Sequence, residues 1–300
     1  MLTFAGMRVT VFHSTRVLAE EDTCDAAERC PVCGHQGSRK RIGFVQRDPR
    51  IELLQCQACG GASASRMPRP EVLDAFYRAY YADRHEPALT LHGLEGWARH
   101  IARSLPKGGG TALLDFGGGD GSLGLSTARL LDSRMKVTLV DAAGSAAPGV
   151  NVSRDLAELG AATFDIVLAS AVLEHIPELD ELLPRLLDRV RPGGFFYART
   201  PYVAPFMRFL SVDFTYPGHV HDLGPAFWNR LVARFPEYAS ISSRPSRVET
   251  AFSRMFARTF AAHVLKAPAR LEVALRGRPR RLFWPFVGGW EVVLQRRASL

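Results

Sequence analysis

Three observations predict an α/β fold built on a parallel, doubly wound sheet. Apolar runs of strand length at 111–116, 136–140, 164–169 and 194–198 alternate with helical stretches, the pattern of a sheet covered by helices on both faces. The first run ends in Asp115 and a glycine-rich loop, LLDFGGGDGSLGL at 113–125. In such sheets ligands bind at the carboxyl ends of strands, where the strand order reverses, and the other sequence motifs also fall at strand ends. A helix over 94–105 leads into the first strand through Lys107 and three glycines.

With 300 residues and 47% hydrophobic content, the chain can bury a substantial core and divides into one main domain and a small appendage. It has no run of about 18 uncharged apolar residues, and its first residues carry early charges without a convincing cleavage site. A cytoplasmic protein is expected. The net charge of +8 is concentrated at the C-terminal end, where residues 244–300 hold 12 Lys and Arg against 3 acids. A solvated basic surface would read this way. So would one that attracts phosphorylated substrates, RNA or a membrane surface.

Four of the five cysteines form two matching knuckles, Cys30-Pro-Val-Cys33-Gly34 and Cys56-Gln-Ala-Cys59-Gly60, separated by 22 residues. Each knuckle turns on its glycine so that two thiolates reach one ion, and four soft sulfurs suit tetrahedral zinc with no open position. Disulfides do not fit a chain without a secretory signal, and a redox pair would need only one CxxC. Cys24 is left as a free thiol. The segments 42–48 and 50–56 supply short strands to a ribbon too small to fold without metal.

The stretch LLQCQACGGASASRMPRPEVLDAFYRAYY, residues 53–81, resembles the linker joining a zinc ribbon to a class I S-adenosylmethionine-dependent methyltransferase. The resemblance implies a Rossmann-like seven-stranded methyltransferase sheet with an N-terminal zinc ribbon. It places a tail at 1–28, the ribbon at 29–66, helical linker segments at 67–110 and the methyltransferase domain at 111–300, with a helical insertion at about 250–285. Residues 71–83 begin a helix carrying Phe76, Tyr77, Tyr80 and Tyr81. In similar enzymes it packs near the cofactor mouth, and ordinary core is the alternative. Residues 238–248 would form the sixth strand and FVGGWEVVLQRR at 286–297 the antiparallel last one.

The loop itself discriminates between nucleotides. Counted from Gly117, a dinucleotide fingerprint would need glycine where Ser122 stands. Asp115 would repel a pyrophosphate but could pair with a cationic amino-acid moiety, and S-adenosylmethionine carries an ammonium and a sulfonium. Gly117, Gly118 and Gly119 would cradle that cofactor. Asp141, followed by Ala142, would meet the ribose hydroxyls, and Asp155 with Leu156 the adenine. Ser170 lies in FDIVLASAVLEHI at 164–176, which resembles the fourth-strand motif of the family, and VRPGGF at 190–195 resembles the turn before its fifth strand.

Methyl transfer is an in-line displacement, so the protein positions the acceptor and removes a proton where needed. His175 beside Glu174 matches a pair that lines the acceptor pocket in the family. A further glutamate that some ubiquinone-pathway O-methyltransferases use for a divalent metal is replaced here by Ala171, and no catalytic metal is expected. YPGHVHDLGP at 216–225 resembles the segment capping that pocket. Its His219 and His221, two apart on an extended chain, would point to the same side; His219 is the first choice of base and His221 the second. The pair with one acid is too few donors for zinc. Asp222 is an N-cap for the helix that follows, and Tyr202 and Tyr216 are pocket candidates.

Residues 251–282 read as basic amphipathic helices that could cover the acceptor, with arginines for phosphates or a membrane surface. The leading function is methylation at oxygen or carbon of a small molecule, such as a saccharide or secondary-metabolite intermediate. The rivals are an RNA methyltransferase gripping its substrate with ribbon and basic tail, and a noncatalytic binding protein that keeps the fold.

Overall fold

From the N-terminus, a short antiparallel pair, β1 (Thr3–Phe4) and β2 (Met7–Arg8), precedes the cysteine module. Strands β3 (Arg39–Gln46), β4 (Ile51–Cys56) and β5 (Ala62–Ala64) form an antiparallel meander in which Leu53 faces Ala64. Its apolar residues Ile51, Leu53, Ala62 and Ala64 close over Leu18 and Met67 as a small core. Helix α1 (Pro70–Ala82) starts on a proline, whose missing N–H costs nothing in a first turn. Helix α2 (Leu94–Ser104) buries Trp97, Ala98 and Ile101 on one face. The computed structural model describes residues 17–82, 93–106, 110–141, 146–210, 216–246, 264–269, 271–272, 275–276, 282–283 and 287–298, and only the backbone of 3–4, 7–8, 80–82 and 208–210. Most of the segment 250–285 and the side chains of Tyr80 and Tyr81 lie outside the described residues.

The main sheet is built from β6 (Ala112–Phe116), β7 (Lys136–Val140), β8 (Val150–Ser153), β9 (Phe164–Ser170), β10 (Val190–Pro201), β12 (Tyr238–Pro245) and β13 (Gly289–Arg296). Between them come α3 (Ser122–Leu131), α4 (Leu179–Leu187), α5 (Ala204–Leu210), β11 (His221–Asp222) and α6 (Pro225–Arg234). The order across the sheet is β12-β13-β10-β9-β6-β7-β8, and β13 runs antiparallel to both of its neighbours. The fold is therefore the expected Rossmann-like, seven-stranded α/β sheet. Its order turns between β6 and β9, and a crevice for ligand opens at their carboxyl ends.

Side chains two apart along a strand share a face, and the core divides accordingly. Leu114, Val167, Ala169, Phe196, Ala198, Val292 and Leu294 pack on one side against α4 and α6. Leu113, Ile166, Leu168, Tyr197 and Val293 pack on the other against Ile101 and Leu105 from the α2 segment and Ala128 of α3. Strand β10 begins earlier than the apolar run at 194–198 suggests. A register shift between Val190 and Phe195 takes up the intervening residues, with Gly193 at φ +82°. Gly194 lies so close to β9 that an added Cβ would meet Asp165 O at 2.8 Å.

Asp165 is the polar fastener of this sheet. Only 4% exposed, its Oδ2 accepts the N–H groups of Thr111 at 2.7 Å and Ala112 at 2.8 Å, and its carboxylate pairs with Arg191. Asp165→Ala leaves two donors without their acceptor at the start of the central strand. A loss of about 2–4 kcal/mol in urea unfolding is expected.

Candidate active site

The glycine loop is held by acids from beneath and to one side. Gly117, Gly119 and Gly121 have φ of +66°, +65° and +76°, a region that costs L-residues energy. Asp115 is 1% exposed, and its Oδ2 accepts Gly124 N–H at 3.0 Å. A Cβ on Gly118 would meet that carboxyl at 2.3 Å. Asp115 thus braces the loop and the first turn of α3, with its expected pairing to a cofactor cation left as part of the proposal below. The loop itself folds over the carboxylate. Burial, assisted by the charges of Asp141 and Asp120, pushes its pKa up to about 7 against the opposing Gly124 bond.

Asp141, at the end of β7, is 8% exposed and accepts Gly119 N–H at 2.8 Å. At Gly119 an added Cβ would meet nothing within 4 Å, so the loop presents bare backbone to open volume there. Asp155 is exposed, and its Oδ1 is taken up by the N–H groups of Ala157 at 2.6 Å and Glu158 at 3.0 Å. Leu156 is buried in the larger core. Ser170, half-buried, ends β9 opposite Arg199. Ala142 lies outside the described residues.

The acceptor side is contiguous with this loop. A Cβ on Gly117 would meet Val172 Cγ2 at 2.2 Å, and Val172 opens the one-turn helix Leu173–His175. The turn is launched by Ala171 in left-handed conformation, φ 57°, which costs a non-glycine residue about 1–2 kcal/mol. It carries Glu174, 1% exposed, and His175, whose Nδ1 donates to Gly218 O at 2.7 Å. The Nε2 of His175 lies 3.7 Å from Glu174 Oε1. Burial lowers the His175 pKa to about 4. The His219 ring stands 4.8 Å from that of His175, centroid to centroid.

Ligand atoms of Glu174, His175 and His219 all lie within 4.8 Å of one another. They are acceptors gathered around one point, able to receive a proton or to hold a cation. The third donor is thus His219, where the sequence weighed His219 with His221. Tyr77 of α1, absent from the expected site residues, stacks edge-on against His175 at 6.3 Å; its place in an aromatic cluster was the only sequence signal.

Other expected site residues sit elsewhere. His221 is fully buried, and its Nε2 donates to Ile176 O at 2.7 Å. Burial lowers its pKa to about 4. It turns inward because His221 pairs with Ser63 in a strand ladder, so it is not an accessible base. Tyr216, 2% exposed, belongs to the small core of the cysteine module and donates to Arg66 O at 3.2 Å. The Tyr202 ring packs on Gly224 and Trp290. Tyr216 is thus structural, while Tyr202 is half-buried. Asp222 caps α5 and not α6: its Oδ2 accepts Val203 N–H at 2.5 Å and Ala204 N–H at 3.1 Å.

The cysteines converge as their spacing predicts. Sγ atoms of Cys30 and Cys59, and of Cys33 and Cys56, are 3.9 Å apart, and all four lie within 4.8 Å of one another. A tetrahedron of sulfurs at about 2.3 Å from zinc has edges of about 3.8 Å. The set fits that ion and is far too open for a disulfide.

A family model described as a methyltransferase domain matches residues 89–238, half of the chain. The chain belongs to this methyltransferase family. The chain is 35% identical over 106 residues to the ubiquinone biosynthesis O-methyltransferase of Sinorhizobium fredii, covering 30% of this chain and 41% of that protein. It is 31% identical over 121 residues to the protein of the same name from Rhizobium rhizogenes, covering 36% and 48%. The alignments thus span less than half the length of these curated relatives. The plantazolicin methyltransferase BpumL, solved with S-adenosylhomocysteine, is a distant structural likeness at 17% identity and TM-score 0.47, covering 76% of this chain and 91% of that one. Among the described residues no helix is long and apolar enough to cross a membrane.

Burial also pushes Asp222 up to about 7, against the two N–H bonds that favour its charge. A carboxyl whose folded pKa lies above its unfolded value stabilises the fold at low pH and loses that contribution as pH rises between the two values. Asp222→Asn keeps an acceptor without the charge. Urea unfolding of wild type against this variant should show wild type losing relative stability from about pH 4 to about pH 7 and levelling off above.

Proposed function

We propose that the enzyme methylates an oxygen or an acidic carbon of a small molecule, with His219 taking the acceptor's proton. The observation that carries this reading is the gathering of Glu174, His175 and His219 within 4.8 Å, one residue turn away from the glycine loop that Val172 touches. S-adenosylmethionine, when bound, supplies a methyl group made electrophilic by its sulfonium. Asp115, Asp120 and Asp141 around the loop make a negative field that favours such a cation and disfavours a pyrophosphate. In this reading Asp141 would hold the ribose hydroxyls and the Asp155-Leu156 segment would meet the adenine, with Ser170 also on the cofactor side and open volume beside Gly119.

Burial keeps His175 neutral at pH 7, and Glu174 supplies negative charge beside it. A proton arriving on His219 is stabilised by both. The half-buried His219, unlike His221, has access to an acceptor. Four cysteines would hold structural zinc, and the chain would divide into a ribbon at 29–66, helical linker at 67–110 and methyltransferase domain from 111. RNA is the less favoured acceptor. Arg41, Arg47 and Arg50 surround Phe44 on the ribbon at 5.1, 5.3 and 5.4 Å, but Arg41 and Arg50 are both paired with Glu52.

Calorimetry of the zinc-loaded chain should detect S-adenosylmethionine binding, and its absence in folded protein would overturn the enzyme reading. The acceptor is to be found by mass-spectrometric screening of phosphorylated and sugar-linked metabolites for a gain of one methyl group. With that acceptor, His219→Ala should keep cofactor affinity within about threefold and lose about 10²–10⁴ in kcat; full turnover would exclude His219 as base.

A further inference from the structure

The cysteine module and the acceptor histidine are joined by one unbroken hydrogen-bonded ladder. β4 ends at Cys56, and the turn through Cys59 is closed by Gly60 N–H to Cys56 O and Cys56 N–H to Gly61 O, both 2.9 Å. β5 begins at Ala62, immediately after that turn. It pairs with β4 on one side and with β11 on the other, where His221 faces Ser63 and Asp222 faces Ala62. Ala64 N–H then donates to Val220 O at 2.9 Å, and Val220 N–H to Glu174 O at 2.8 Å. His219 is the residue before Val220.

Two further features make this ladder decisive. The small core under β3, β4 and β5 is completed by Tyr216 and Val220 from the acceptor segment, so neither partner has a finished core alone. At the seam, Ser63 Oγ and His221 Nδ1 are buried without a hydrogen-bond partner among the described residues, so those two groups do not reinforce the backbone pairing. Cys30, Val32, Cys56 and Cys59 share an apolar core with Leu114, Phe116 and Val140 of the cofactor half, but in strand pairing that half is separate. β6 and β7 pair only within the seven-stranded sheet, which shares no strand with the sheet of the module.

We propose that the metal on Cys30, Cys33, Cys56 and Cys59 is a positioning element for the acceptor half of the active site. It fixes the turn that starts β5, β5 fixes β11, and β11 fixes where His219 meets Glu174 and His175. The cofactor half keeps its shape without the metal. This rests on the zinc and acceptor readings above.

The 300-residue chain, zinc-loaded or stripped with a thiol-binding mercurial and chelator, tests it by hydrogen exchange and by calorimetry with S-adenosylmethionine. Stripping should speed exchange across 216–222 by about tenfold or more while 112–116 and 136–140 stay protected and cofactor affinity changes less than about threefold. Unchanged exchange at 216–222, or equal loss in both halves, overturns the proposal. A folded chain that retains no zinc overturns the zinc reading as well, which metal analysis distinguishes. Ala64→Pro removes the donor to Val220 while leaving the cysteines intact. It should hold zinc yet exchange at 216–222 like stripped protein, and wild-type protection there would also overturn the proposal.

Discussion

Strands β6 and β9 are parallel neighbours at the point where the sheet reverses its order, and their apolar residues are buried on both faces. Such strands have no lateral surface to offer a ligand, so chemistry is confined to their carboxyl ends. There the backbones come as close as sterics allow: Gly117 has no room for a Cβ against Val172. The loop after β6 and the turn after β9 are consequently one surface. Any nucleotide on the glycine loop is brought beside Glu174 and His175 by strand pairing rather than by a movable segment. The left-handed Ala171 is the local strain that this proximity entails.

Much of this was legible in the sequence because it rests on short-range pattern. Continuous apolar runs gave the central strands, since burial on both faces leaves no alternation, and the two CxxCG knuckles gave the cysteine cluster because their glycines fix local turns. What depends on long-range pairing was not legible. His219 and His221 are equivalent on an extended chain, and only the pairing of His221 with Ser63, 158 residues away in the chain, draws one into the interior and leaves the other at the site. Tyr216 looks like a pocket residue until the small core claims it. Asp222 looks like a cap for the nearer helix, yet the chain path returns it to the start of α5.

The acids of the cofactor loop illustrate how a sequence signal can name a residue before its backbone contacts are known. In the proposed site Asp115 would act against a pyrophosphate as part of a field shared with Asp120 and Asp141. A buried carboxyl that braces a backbone N–H is displaced little when ligand arrives, so the loop it holds is already in place. The raised pKa of Asp115 is the cost of that arrangement, and it gives the loop a dependence on proton concentration that a solvated acid would lack.

The cysteine module is more than an appendage to the sheet. A core made of Leu18, Ile51, Leu53, Ala62, Ala64 and Met67 is small for independent stability. Tyr216 and Val220 complete it from the far end of the chain, while Asp180 N–H donates to Pro31 O at 2.9 Å and ties the first knuckle to α4. Order in the module and order in the acceptor segment therefore have the same source. The backbone carbonyl of Glu174 receives the last bond of the ladder that begins at the second cysteine knuckle. A group bound to sulfur at one end of the ladder would thus act on the placement of an imidazole at the other without touching it.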